Sequence, residues 1–157
     1  MSKKINVVKG DIFKLMQPGD AMVHGCNAQG VMGSGIAATV RDLYPGAYDY
    51  YRKVFQERGL KLGEIIDYFD PKDRVWILNG ITQNLYGRDG SRFVSYDAVA
   101  EVFSEIARSY QHAQIKNLFL PLIGAGLGGG NWKIIQTIVE QELKDTDLNV
   151  TLVLFKP

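Results

Sequence analysis

Apolar residues along this chain fall into two rhythms that alternate from one end to the other. The run Ile5-Asn6-Val7-Val8 is β-rich and ends at Lys9-Gly10-Asp11, and Ala21-Met22-Val23-His24-Gly25 follows a Gln17-Pro18-Gly19-Asp20 turn. Short runs bounded by such residues predict strands. A loop over 26–34 then gives way to helical character over 35–43, stopped near Tyr44-Pro45, because a residue before proline is held out of the helical region. Ala47, Tyr51, Val54 and Phe55 keep a helical spacing up to Gly59. Residues 64–69 and 75–81 predict strands with a Pro71-Lys72-Asp73 turn between them, and a polar loop follows over 84–92. Ser95 is a candidate N-cap for a helix whose apolar positions, Val99, Val102, Phe103, Ile106, Ala107 and Tyr110, repeat with the helical period. Residues 117–122 form a continuous apolar run, the pattern of a strand buried on both faces. A glycine-rich segment over 124–130 leads into a helix carrying Trp132, Ile135, Ile138, Val139 and Leu143, and 150–155 closes the chain as a strand. Strands alternating with amphipathic helices predict an α/β fold with helices on both sheet faces. No repeat or linker divides residues 1–157, and one domain of ordinary size is expected.

Charge narrows the function classes. Lys and Arg total 18 against 17 Asp and Glu, a net charge of +1, so no broad cationic face for nucleic acid is implied. A compact anion held by backbone N–H groups needs no such excess. The single cysteine, Cys26, rules out an internal disulfide and a cysteine-based zinc site, and no cofactor is called for. The first residues lack the apolar stretch of a signal peptide, and no segment reaches the roughly 20 apolar residues of a membrane span. A cytoplasmic protein is expected.

The candidate chemistry lies in two loops, each after a strand and before a helix, the end of an α/β sheet where ligands bind. The first is Asn27-Ala28-Gln29-Gly30-Val31-Met32-Gly33-Ser34-Gly35, and the second, over 124–130, has five glycines among seven residues. Glycine lets backbone N–H groups converge on a phosphate oxygen, and the helix starting at Gly35 adds the partial positive charge of its N-terminus. Two such loops facing one another suit a pyrophosphate; the alternative for each is a tight packed turn. Both loops also fit the G-x-G-x-x-G/A dinucleotide pattern, but the first lies well past its strand and the second leaves too little chain for the rest of a Rossmann domain. A cysteine-phosphatase loop is excluded because Met32 stands where that signature needs arginine. His112 reads as a solvated helix end. His24, at the end of a core strand beside the first loop, is either a structural histidine or a proton-transfer residue.

The stretches Val8-Lys9-Gly10-Asp11-Ile12, His24-Gly25-Cys26-Asn27, Gly33-Ser34-Gly35-Ile36-Ala37, Tyr44-Pro45 and 121–129 followed by Trp132 run in one order across nearly the whole chain. Together they resemble macro domains. The resemblance implies a three-layer α/β/α fold with a central mixed sheet, and a pocket for ADP-ribose. It is strongest to the branch holding ADP-ribose 1''-phosphate phosphatases, terminal ADP-ribose glutamate hydrolases and DNA-ADP-ribose glycohydrolase antitoxins. On that basis Asp11 accepts a hydrogen bond from the adenine amino group, with the Ile12 backbone nearby. Asn27 contacts the distal ribose. Gly33, Ser34, Gly35 and Ile36 wrap one side of the pyrophosphate, Gly124, Ala125, Gly126, Leu127 and Gly128 the other, and Phe155 lines the adenine pocket. Read from residue chemistry alone, an ionised Asp11 suits an exocyclic amine as an acceptor, or serves as an N-cap, while Asn27 suits ribose hydroxyls, or a turn.

The departures from that branch set the functional expectation. Its glycohydrolases use a lysine where this chain has Gln83, and its glutamate hydrolases use an aspartate where this chain has Gly128. Neither residue supplies a covalent lysyl adduct or a base. The expected function is therefore a phosphatase converting ADP-ribose 1''-phosphate to ADP-ribose, with His24 moving the proton and Asn27 positioning the ribose; Arg88 and Arg92 are either solvated loop residues or donors that reach a phosphate. A non-catalytic ADP-ribose-binding module, or an ADP-ribosyl hydrolase acting on modified protein or nucleic acid, stands beside it. The expected partners are the free ligand and, for those alternatives, ADP-ribosylated macromolecules, with no membrane.

Overall fold

A computed structural model describes residues 3–87, 93–125 and 128–157. Among these the order is β1 (Asn6–Gly10), α1 (Ile12–Leu15), β2 (Ala21–Asn27), α2 (Gly35–Leu43), α3 (Pro45–Arg58), β3 (Ile65–Phe69), β4 (Trp76–Gln83), α4 (Tyr96–Ser109), β5 (Asn117–Leu120), α5 (Trp132–Glu142) and β6 (Asn149–Phe155). The strands form one sheet in the order β1-β6-β5-β2-β4-β3. Every neighbouring pair is parallel except β3 and β4, so the sheet is mixed.

Two apolar cores, one on each face, make the molecule three-layered. On one face Ala21 and Val23 of β2 meet Val99, Val102 and Phe103 of α4 and Ile135 and Val139 of α5. On the other, Met22 and Cys26 of the same strand pack with Ile12, Val40 of α2, and Ala47, Tyr51 and Val54 of α3. Side chains alternate across a strand, so a strand covered on both sides carries apolar residues on both faces, as β2 does at Ala21, Met22, Val23 and Cys26. This matches the α/β/α expectation. No helix among the described residues is long and apolar enough to cross a membrane.

Local chemistry sets the element ends. The Ser95 side chain accepts from the backbone N–H of Ala98 at 3.2 Å and starts α4. α2 stops at Leu43, and Pro45 opens α3 at its first turn, where proline's missing N–H is no loss. Several elements differ from the sequence pattern. β5 ends at Leu120, two residues early, because Pro121 has no N–H to continue the ladder. β4 runs on to Gln83, which pairs with Asn27 across a register shift. The short helix α1 has no periodic signal at all; it forms because the Asp11 side chain accepts from the Phe13 N–H at 3.0 Å and caps it.

Candidate ligand-binding site

A cleft of about 990 Å³ opens at the C-terminal ends of the parallel strands. Its wall begins with Asp11, Ile12 and Phe13 after β1, takes in Phe155 at the end of β6, and reaches Asn27 and Gln83 at the ends of β2 and β4. In the sheet order β1-β6-β5-β2-β4 that path spans four strand spacings, about 19 Å, the scale of an extended dinucleotide-like ligand.

The first glycine loop is held from within by Asn27. Its Oδ1 accepts from Gln29 N at 3.0 Å and Val31 N at 3.3 Å, and its Nδ2 donates to Val31 O at 2.8 Å. Tyr51 of α3 donates to the Asn27 carbonyl at 2.5 Å, with Oδ1 of the same residue 3.0 Å away. Burial pushes the Tyr51 phenol well above its ordinary pKa, so it stays a donor. Gly30 sits at φ 76°, and any side chain there would run into Phe55 and Arg52 at 2.7–2.8 Å. The loop then delivers Gly33, Ser34, Gly35 and Ile36 to the cleft wall. Ser34 is the N-cap of α2, yet its side chain makes no capping hydrogen bond. The first N–H groups of α2 have no partner within the helix, and Gly35, Ile36 and Ala37, which carry them, line the cleft, the setting of an anion-binding helix end.

The second loop is tighter. Gly124 has φ 71°, Gly130 N donates to Gly124 O at 2.7 Å, and Gly128 O accepts from both Phe93 N and Val94 N. A Cβ on Gly128 would stand 2.7 Å from Gly124 O, so the backbone itself forbids a side chain where the glutamate hydrolases carry aspartate. These glycines serve the turn's own packing as well as backbone approach.

Of the residues singled out from sequence, Asp11, Ile12, Asn27, Gly33, Ser34, Gly35, Ile36, Gly124, Gly128 and Phe155 line this one cleft. Gly126, Leu127, Arg88 and Arg92 lie outside the described residues. Ala125 does not line the cleft. His24 must be corrected as a proton-transfer residue: it is completely buried and does not line the cleft. Its Nε2 donates to Asn79 Oδ1 at 2.6 Å, and Asn79 Nδ2 donates to Ala47 O of α3 at 3.2 Å. Desolvation drives its pKa down to about 4, against the raising effect of the Asn79 bond. A neutral ring fixed between β2, β4 and α3 has no route to a ligand. Cys26 does line the cleft, but burial holds its thiol far above the thiolate range. Sequence reasoning missed Phe13, Thr39, Tyr86 and Leu122 in the lining. They carry no pattern of their own, and only the sheet order brings them together.

The sheet order, the layers and two glycine turns over one cleft define an α/β protein built to hold an elongated anionic ligand. No family model matches the chain. An uncharacterized 17.5 kDa protein of Enterobacteria phage T4 is 31% identical over 141 residues, covering 87% of this chain and 88% of its own. An ADP-ribose 1''-phosphate phosphatase of Neosartorya fischeri is 27% identical over 98% of this chain and 95% of its own length. A DNA ADP-ribosyl glycohydrolase of Thermus aquaticus is 27% identical over 89% of this chain, which spans 38% of that protein. Among solved structures, a macrodomain protein from Streptomyces coelicolor superposes with TM-score 0.79 at 25% identity, covering 96% of this chain and 99% of that one. Thermosipho africanus DarTG in complex with ADP-ribose shares the fold, with TM-score 0.80 at 21% identity over 99% of this chain and 43% of that one. The chain has the macro-domain fold and is similar in sequence to proteins of that kind.

Proposed function

We propose that residues 1–157 act as one macro domain that binds ADP-ribose derivatives in this cleft and hydrolyses ADP-ribose 1''-phosphate to ADP-ribose and inorganic phosphate. The observation that carries the binding is the pair of glycine turns flanking the cleft, with the N-terminus of α2 at the first of them. The phosphatase relative, matched over nearly its whole length, supports the substrate. Cleft chemistry restricts how the reaction runs. Among the described lining residues the ionisable side chains are Asp11, Cys26 and Tyr86. Asp11 caps α1 at the β1 end, away from Asn27 and Gln83.

Hydrolysis therefore draws its base from the substrate. A terminal phosphate oxygen takes the proton of the attacking water, the water oxygen bonds to phosphorus, and the bond from phosphorus to the anomeric oxygen breaks. ADP-ribose leaves with that electron pair and takes up a proton. Loop N–H groups stabilise the developing charge on the equatorial oxygens. A lone free cysteine goes with a reducing, cytoplasmic setting.

The scarcity of ionisable groups equally favours a second reading, a binding module without chemistry. The two part in one experiment. Incubation with ADP-ribose 1''-phosphate is expected to release inorganic phosphate at catalytic turnover, while a parallel titration with ADP-ribose shows saturable binding. Binding without release favours the module, and the chain is then assayed against ADP-ribosylated protein and DNA for hydrolase action. Absence of binding to either ligand sinks the whole reading.

A further inference from the structure

Among the described residues one buried side-chain polar atom has no hydrogen-bond partner, the hydroxyl of Thr82. Thr82 is 1% exposed. It stands at the register shift between β2 and β4, where Cys26 pairs with Ile81 and Asn27 with Gln83, leaving Thr82 opposite no residue. It is thus the extra residue of a bulge, a device that re-aims a side chain next to functional sites. Its Oγ1 lies 2.7 Å from the place a Cβ on Gly25 would occupy, and Ile123 Cγ2 lies 3.4 Å from the same place. Gly25, Ile123 and the adjacent Gln83 all line the cleft, so the hydroxyl sits directly beneath its floor at the β2–β4 end.

A hydroxyl in this setting is unfavourable to the ligand-free fold. Valine has nearly the same shape, suits a strand better and leaves nothing unsatisfied. A chain shaped by stability alone would carry valine here. We propose that Thr82 is a ligand-positioning residue beneath the cleft, whose hydroxyl finds its hydrogen-bond partner only in the ligand-bound state, on a backbone group of the Ile123–Gly124 turn that the ligand shifts. This rests on the ADP-ribose-binding reading. Part of the affinity then comes from relieving a burial penalty that the free protein carries, and Gly25 is glycine so that the hydroxyl can stand where it does.

Thermal unfolding and ADP-ribose titration of the parent, Thr82→Val and Thr82→Ser proteins test this. Thr82→Val is expected to melt at the same temperature as the parent or higher, yet to bind ADP-ribose about tenfold more weakly, the effect of losing one hydrogen bond to an otherwise unpaired group. Thr82→Ser is expected to restore binding to near the parent value. A residue with a merely structural role would instead lower the melting temperature when changed. Parent-like affinity in Thr82→Val overturns the assignment, as does weaker binding accompanied by a lower melting temperature. A parent protein that itself fails to bind ADP-ribose overturns the binding reading and this inference together, and that control separates the two failures.

Discussion

His24 and Asn27 sit three residues apart on one strand end, and their surroundings give them opposite kinds of work. His24 points into the core beneath α3, donates to Asn79 and is held neutral by desolvation. Its folded-state pKa of about 4 lies below the ordinary 6.5. The unfolded chain therefore binds a proton between these values that the folded chain refuses. The stability from this group is complete above pH 6.5 and is lost as pH falls toward 4. The full interval from 6.5 to about 4 is worth about 3 kcal/mol. Urea unfolding is expected to show the parent losing about 2–3 kcal/mol between pH 7 and pH 4.5 from this source. A His24→Gln variant, whatever its baseline, is expected to lose less over the same interval. Equal losses in the two proteins would mean that another group governs the acid limb. From sequence, a histidine beside a ligand loop reads as structural first and catalytic second. Only the direction of its side chain separates the two, and direction depends on strand register, which local pattern does not contain.

At the scale of elements, the sequence pattern located nearly every strand and helix, because each buries a face and so imposes its period on the apolar residues. What it missed, α1 and the early end of β5, is governed by single polar or cyclic residues, Asp11 and Pro121, whose effects periodicity cannot register. The first glycine loop shows the same division. Its glycines were legible, while the scaffold that orders it comes from elsewhere, through Tyr51 and Arg52 on α3. The loop's geometry is thus tied to α3 as well as to Asn27 within it. Tyr51→Phe is expected to lower stability by about 1–2 kcal/mol, since it leaves the Asn27 carbonyl without its donor. The same change is expected to weaken ADP-ribose binding measured by calorimetry, because Gly33 to Ile36 reach the cleft through that loop. Loss of stability with affinity intact would uncouple the α3 anchor from the cleft.

For the whole molecule, the α/β class was legible from alternating rhythms, but the order β1-β6-β5-β2-β4-β3 was not. Pairing the first strand with the last is a contact between chain ends, and no window of sequence reports it. That order nevertheless makes the cleft, since it sets Asp11 and Phe155 at one end and Asn27 and Gln83 at the other. It also decides what kind of force holds the ligand. The chain has a net charge of +1, and the described lining carries no lysine or arginine, so in the proposed complex the attraction is assigned to backbone N–H groups at close range. Such contacts are made inside a site that excludes most counterions, whereas attraction by exposed cations decays over a Debye length of about 10 Å at 0.1 M salt. ADP-ribose affinity is therefore expected to fall by less than about threefold as NaCl rises from about 50 mM to about 500 mM. A steeper dependence, on the order of tenfold or more, would bring cationic side chains to the phosphates. Arg88 and Arg92, outside the described residues, are the first to exchange for alanine in that event. A flat dependence in the parent would support the two glycine turns as the source of the binding.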